Sequence, residues 1–220
     1  MLAKHLCGDS MRCLPLAVLV LLLSASSPSH SQDIPCSSTV PLARQHRTSV
    51  KHRPPAPGAE VHQVKIAAVL QWAPPAGVTT PKQRKLDQPF APRENEVYTV
   101  EGDVWRIKLE DNDCDFHLEL SVPGKLKTSP RIIVEIPQGA AFLEARDKVL
   151  ETLAANGYDP AVGKAIDLDA PIRVRVTGYA FYDSAHFSKK NPKKGHGHGT
   201  KYVGTLWEIH PAWKIEFSDE

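Results

Sequence analysis

Residues 113–120 alternate without a break. Asp113, Asp115, His117 and Glu119 fall on one side of an extended strand, and Cys114, Phe116, Leu118 and Leu120 on the other. The apolar set predicts a core-facing side. The polar set is a row of groups able to hold a metal ion, move a proton or face water. The same period of two recurs on either side. Residues 97–110 place Val100, Trp105, Ile107 and Leu109 in a mostly alternating pattern, with Gly102 as an expected bulge or bend, and Asp111-Asn112 forms a turn pair. Residues 131–136 predict a third strand, with Ile132, Val134 and Ile136 on one face and Glu135 on the other. Residues 172–182 predict a fourth, with Arg173 and Arg175 outward. Residues 202–210 predict a fifth, interrupted at Pro211, with 212–217 continuing it or bending away.

A period near 3.6 appears once. Residues 140–155 are rich in good helix formers, space Phe142, Val149, Leu150 and Leu153 along one stripe, and stop at Asn156-Gly157. Three strands, a helix and two strands predict a mainly β fold: an OB-like five-stranded barrel with one helix between strands 3 and 4. The alternative is an open α+β sheet with a helix on its face.

The barrel pattern fills only 96–220. Nineteen prolines are unevenly placed along the 220 residues, and 27–95 reads as a Pro-rich, largely extended or disordered segment. Within it, residues 61–72 suit a short strand or helix docked on the main domain. The basic residues from Arg44 to Arg53 suit a solvated spacer or an anion-binding arm. At the start, Lys4 and Arg12, an apolar run over 14–23 and Ser24-Ala25-Ser26 predict a signal peptide over 1–26, and so an exported, periplasmic or extracellular protein with no stable membrane span after cleavage. The run is shorter than the ~20 residues of a membrane helix. Cleavage leaves Cys36 and Cys114. One disulfide is permitted, but a core-side Cys114 and a tail-borne Cys36 favour two separate thiols.

A net charge of +2 gives no global polyanion signature, so charge arguments are local. Asp115, His117 and Glu119 share the polar row, and Glu135, Asp183, His186, Glu208 and His210 offer the same chemistry near other strand ends. Carboxylates and imidazoles are the ligand set of a divalent ion of Zn or Mn type. Neighbours on one strand, about 6.5–7 Å apart, need help from adjacent strands to share an ion. A second constellation is the loop over 188–201. Lys189, Lys190, Lys193 and Lys194, with Arg173 and Arg175, suit an anionic ligand such as nucleic acid, and its Gly-His-Gly-His run can hold a metal weakly. There is no Gly-rich phosphate loop, GxSxG, HExxH or paired CxxC motif.

Taken together, DNDCDFHLEL, RIIVEIP, VRVTGYAFYDSAHF and GTLWEIHPAWKI resemble a group of bacterial exported proteins of unknown function with a DxDxHL, EIP, VTGxxFxDxxH, E[IL]HP pattern. The resemblance covers most of the expected domain. It implies a recurring domain whose marked polar positions are Asp113, Asp115, His117, Glu135, Asp183, His186, Glu208 and His210, with the Lys/His loop as a local elaboration. Three functions follow as expectations: an exported binding module for an anionic ligand, a metal-dependent hydrolase of nuclease or phosphodiesterase type, and an interaction domain without a small ligand.

Overall fold

Six strands carry the structure: β1 (Val61–Gln63), β2 (Val97–Leu109), β3 (Phe116–Ser121), β4 (Arg131–Ile136), β5 (Ala165–Tyr182) and β6 (Val203–Phe217). β2 pairs antiparallel with β3, β3 with β4, β5 with β6 and β2 with β5; β4 pairs parallel with β6. The circuit β2-β3-β4-β6-β5 therefore returns to β2 and closes. The result is a closed five-stranded barrel with one extra strand, β1, lying parallel on β2. Helix α3 (Leu143–Ala155) stands between β4 and β5. This architecture is consistent with an OB-like barrel. It rules out the open sheet among the described residues, because β2 and β5 join. The computed structural model describes residues 34–41, 45–76, 78, 88–90 and 92–218; the expected signal peptide over 1–26 lies outside them. No helix among the described residues is long and apolar enough to cross a membrane.

The barrel interior follows from alternation. Phe116, Leu118 and Leu120 of β3, Ile132, Val134 and Ile136 of β4, and Ile209 of β6 are fully buried in one apolar cluster, joined by Phe142, Ala145, Val149 and Leu153 from α3 and its lead-in turn. Each such aliphatic side chain contributes roughly 1.5–3 kcal/mol by leaving water. The alternate positions, including His117, Glu119, Glu135, Glu208 and His210, consequently point to the barrel's outer face.

That outer face is not open to water. Residues 45–76 pack on the barrel as an arm containing α1 (Thr48–Lys51), β1 and α2 (Ile66–Val69), and α1 brings Lys51 to the polar face. Val50, Ile66 and Val69 of the arm are buried, the last two within the barrel's apolar cluster. Basic residues expected in a solvated spacer are engaged: Arg47 donates to Glu94 at 2.9 and 2.6 Å with both side chains fully buried, and Lys51 reaches Asp113 and Glu135. Arg44 lies outside the described residues. Little of the arm is regular, yet it is packed. The reason for Gly102 is this packing, not a bulge. A Cβ there would stand 2.4 Å from Ile66 Cδ1 and 2.8 Å from the Ser121 carbonyl, whereas the bulge falls between Val104 and Arg106.

The expected thiols are a disulfide. Cys36 and Cys114 are bonded, with Cα atoms 5.8 Å apart. Cys114 is buried as alternation expects, but it is not in a strand, because β3 begins only at Phe116. Cys114 adopts φ 67°, and Asp115 N–H donates to Asp113 Oδ1 at 3.4 Å, so 113–115 is a turn. The Cys36 segment is tied beside it, with Thr39 and Val40 N–H groups donating to the Asp111 and Asn112 carbonyls. Other boundaries moved outward: β5 starts at Ala165, and β6 runs unbroken through Pro211, which follows a cis peptide bond.

Candidate metal centre

The polar row of β3 meets its partners through strand register. His117 sits across from Glu135, and Ile133 beside Glu208, which aligns the outer faces of β3, β4 and β6. Asp183 and His186 follow directly from the end of β5, and the loop before β6 adds His198. A row that alternation alone leaves on a solvated face is thereby closed over by arm and loop: Asp115, Glu119 and His210 have no exposed surface, and Glu208 and His198 almost none.

Two groups of ligand-type side chains result, Asp115–Glu135–His210 and Asp183–His198–Glu208. In the first, His210 Nε2 lies 3.3 Å from Asp115 Oδ2, and its Nδ1 lies 2.8 Å from Glu135 Oε2. In the second, His198 Nε2 lies 2.6 Å from Glu208 Oε1 and 3.6 Å from Asp183 Oδ2. His186 Nε2 approaches the same Asp183 oxygen at 3.5 Å. Two ligand atoms each about 2.1 Å from one tetrahedral ion stand about 3.4 Å apart. The separations of 3.3, 3.5 and 3.6 Å match that edge better than they match a short charge-assisted hydrogen bond.

The histidines are oriented from behind. His186 Nδ1 lies 2.9 Å from the His196 carbonyl, which can only accept, so Nδ1 carries the proton and Nε2 faces Asp183. The loop makes this contact by a backbone approach that a side chain would block. Gly195 has φ +61°, and a Cβ on it would stand 2.2 Å from the His186 carbonyl oxygen. The same loop carries Thr200, whose N–H and hydroxyl donate to Glu119 at 2.8 and 2.6 Å, while Arg131 donates to Glu119 at 3.0 Å.

Electrostatics sort the network. Burial works against charge on His117, yet its hydrogen bonds to Glu119 and Glu135 raise its pKa to about 10, so it is protonated at neutral pH. Burial also opposes ionisation of Glu119, but His117 and Thr200 hold it down at about 2. Glu135 is likewise pulled below its ordinary value against its burial, chiefly by Lys51 and His210. Asp113 is pushed up to about 6 by burial and by its neighbours Asp115 and Glu135.

Beside these groups lies a cleft of about 380 Å³. Asp183, His186 and His198 line it with His117, Glu119 and Glu135; Lys51, Arg106 and Lys108 line it too, each paired with a carboxylate, Lys51 with Asp113 and Glu135, Arg106 with Asp167 and Lys108 with Glu110. Asp115, Glu208 and His210 are not among its lining residues. The cleft is framed by the β2–β3 and β5–β6 loops, the two that border the ligand face of OB-type barrels.

All eight expected metal positions therefore fall in one connected network: Asp115, His117, Glu119, Glu135, Asp183, His186, Glu208 and His210. Within it, His117 and Glu119 face each other and Arg131 rather than joining a ligand group. The expected anion-binding set does not assemble. Arg173 is held by Asp103 and Glu101, and Arg175 by Glu101. Lys189, Lys190 and Lys194 are exposed on the loop and Lys193 bonds Gln71. Alternation does not reach His198, which the sequence places in a Gly-His-Gly-His run able to hold a metal weakly; the glycines flanking it permit the tight backbone approach that seats it. Lys51 falls in the stretch expected as a spacer or anion-binding arm, and Arg106 and Lys108 have no expected role at the site. No family model matches the chain, and neither a curated protein nor a solved structure matches it.

Proposed function

We propose that this protein is an exported, metal-dependent hydrolase of anionic esters, of the nuclease or phosphodiesterase type. The observation that carries the reading is the approach of His186 Nε2 and His198 Nε2 to one oxygen of Asp183, at 3.5 and 3.6 Å, on the wall of an open cleft. Asp183, His186, His198 and Glu208 would hold an ion of Zn or Mn type. A divalent ion so held lowers the pKa of bound water and polarises a phosphoryl oxygen. The chain's own contribution is positional. His117, kept protonated between Glu119 and Glu135, is a proton donor on the cleft lining. The Cys36–Cys114 bond supports an oxidising, exported setting.

The test is the metal content of the purified chain, together with hydrolysis of bis(p-nitrophenyl) phosphate and of single-stranded DNA and RNA with Mg, Mn, Ca or Zn. Metal-stimulated turnover that His198→Ala abolishes is expected. A metal-free protein with flat assays ends the proposal. An OB-like anion-binding module without turnover is the second reading, favoured by the exposed lysines of the β5–β6 loop. It would appear as salt-dependent polyanion binding that weakens when Lys189, Lys190, Lys193 and Lys194 are neutralised.

A further inference from the structure

The two ligand groups share a contact that makes them one unit. Glu208 sends Oε1 to His198 Nε2 at 2.6 Å and Oε2 to His210 Nδ1 at 3.2 Å. One carboxylate thus touches a histidine of each group with a different oxygen. We infer that the protein holds two divalent ions: an outer ion on Asp183, His186 and His198, open to the cleft, and an inner ion on Asp115, Glu135 and Nε2 of His210, with Glu208 holding Nδ1 of His210 from behind. The inference rests on the proposed metal-dependent function and adds the second ion.

Three observations support the inner site. Both oxygens of Asp115 and Nε2 of His210 are buried and make no hydrogen bond, although the residues are fully enclosed and face each other at 3.3 Å. Leaving such groups unsatisfied costs about 1–3 kcal/mol each, more when charged, unless something else occupies the gap. Charge points the same way. Six carboxylates (Asp113, Asp115, Glu119, Glu135, Asp183 and Glu208) lie together with little exposure, and the permanent cations paired with them are two, Lys51 and Arg131. The carboxylates outnumber the cations beside them even with His117 protonated, and divalent ions would offset the excess. Finally, the two sets differ in access: Asp183, His186 and His198 all line the cleft, whereas of the inner set only Glu135 does. The inner ion would fix Glu208 and the arm, and the outer ion would meet substrate.

The full-length, oxidised protein is loaded with Mn(II), freed of excess metal, and its bound metal counted. Two equivalents are expected. Release to a chromogenic chelator should be biphasic, with a slow inner phase. Asp115→Asn should remove the slow phase and His186→Ala should remove the fast one. One equivalent in the wild-type protein overturns the inner ion and leaves the outer one standing. Two equivalents released in a single phase overturn the separation into an inner and an outer ion. No bound metal overturns both this inference and the proposed function. Because the wild-type count and release profile decide the matter, a variant that fails to fold does not rescue the inference.

Discussion

Arg47 and Glu94 form a two-pronged ion pair, at 2.9 and 2.6 Å, in which neither side chain is exposed. Glu94 also accepts from the Tyr182 N–H at 2.7 Å, so the pair ties the arm to the end of β5 where Asp183 begins. Removing one partner strands a buried charge, and Glu94→Gln should cost about 3–5 kcal/mol in denaturant unfolding. Arg106→Gln, which breaks a partly exposed pair with Asp167, should cost under about 1 kcal/mol. Equal losses in the two variants would contradict the account of the arm.

Loop geometry should control metal affinity separately from backbone strain. Gly195→Ala meets the His186 carbonyl, which orients the Nε2 that faces Asp183. It should weaken metal binding by about 10–100-fold in a chelator competition titration, the usual range for loss of an orienting contact. Gly124→Ala has the same sign of φ, +72°, but no atom within 4 Å of its Cβ, and should leave metal affinity unchanged. If both variants bind alike, the loop does not seat the histidines.

The disulfide closes a ring between positions 78 apart in sequence. Chain entropy alone gives about 4 kcal/mol for a loop of that length. Cys36→Ser/Cys114→Ser should lower stability by up to that amount, measured by calorimetry. An unchanged midpoint would mean that the 34–41 segment contributes nothing through this link.

Acid should loosen the arm at mild pH. Burial lowers His46 to about 4, against the pull of Asp183, with Arg47 and Lys51 adding to the lowering; His52 is lowered as well, chiefly by burial. The unfolded chain takes these protons near 6.5, while the folded one refuses His46's until about 4. The stability present above pH 6.5 is therefore lost progressively as pH falls toward 4. Melting temperature followed from pH 7 to 4 should drop. His46→Gln, which keeps a hydrogen-bonding group near Ser184 Oγ, should flatten part of the drop. Superimposable profiles would rule His46 out.

Alternation was enough to find β4 residue for residue and to separate Leu118 from Glu119, because side-chain period depends on local geometry alone. It could not see that the face bearing His117 and Glu119 would be covered, since the cover comes from residues 45–53, about seventy positions away and without any period of their own. The carboxylate and histidine positions were readable as chemistry near strand ends. Their assembly was not, because it depends on β4 and β6 running parallel, a pairing no local pattern encodes. His198 is legible as a weak metal-holding group in its Gly-His run, but its place beside Asp183 and His186 depends on the backbone closure that the glycines allow.

β1 occupies the edge of β2 at Val97, Tyr98 and Thr99, beyond the last β3 partner at Asp103. The barrel circuit leaves that stretch of β2 with one free side, and the arm is what fills it. A chain trimmed to begin at the barrel would present unpaired N–H and C=O groups there, next to the apolar surface that Ile66 and Val69 now cover. Such an edge recruits strands from other molecules. The arm is therefore also a safeguard against self-association: the shortened protein should run as oligomers on a sizing column even if its barrel is intact.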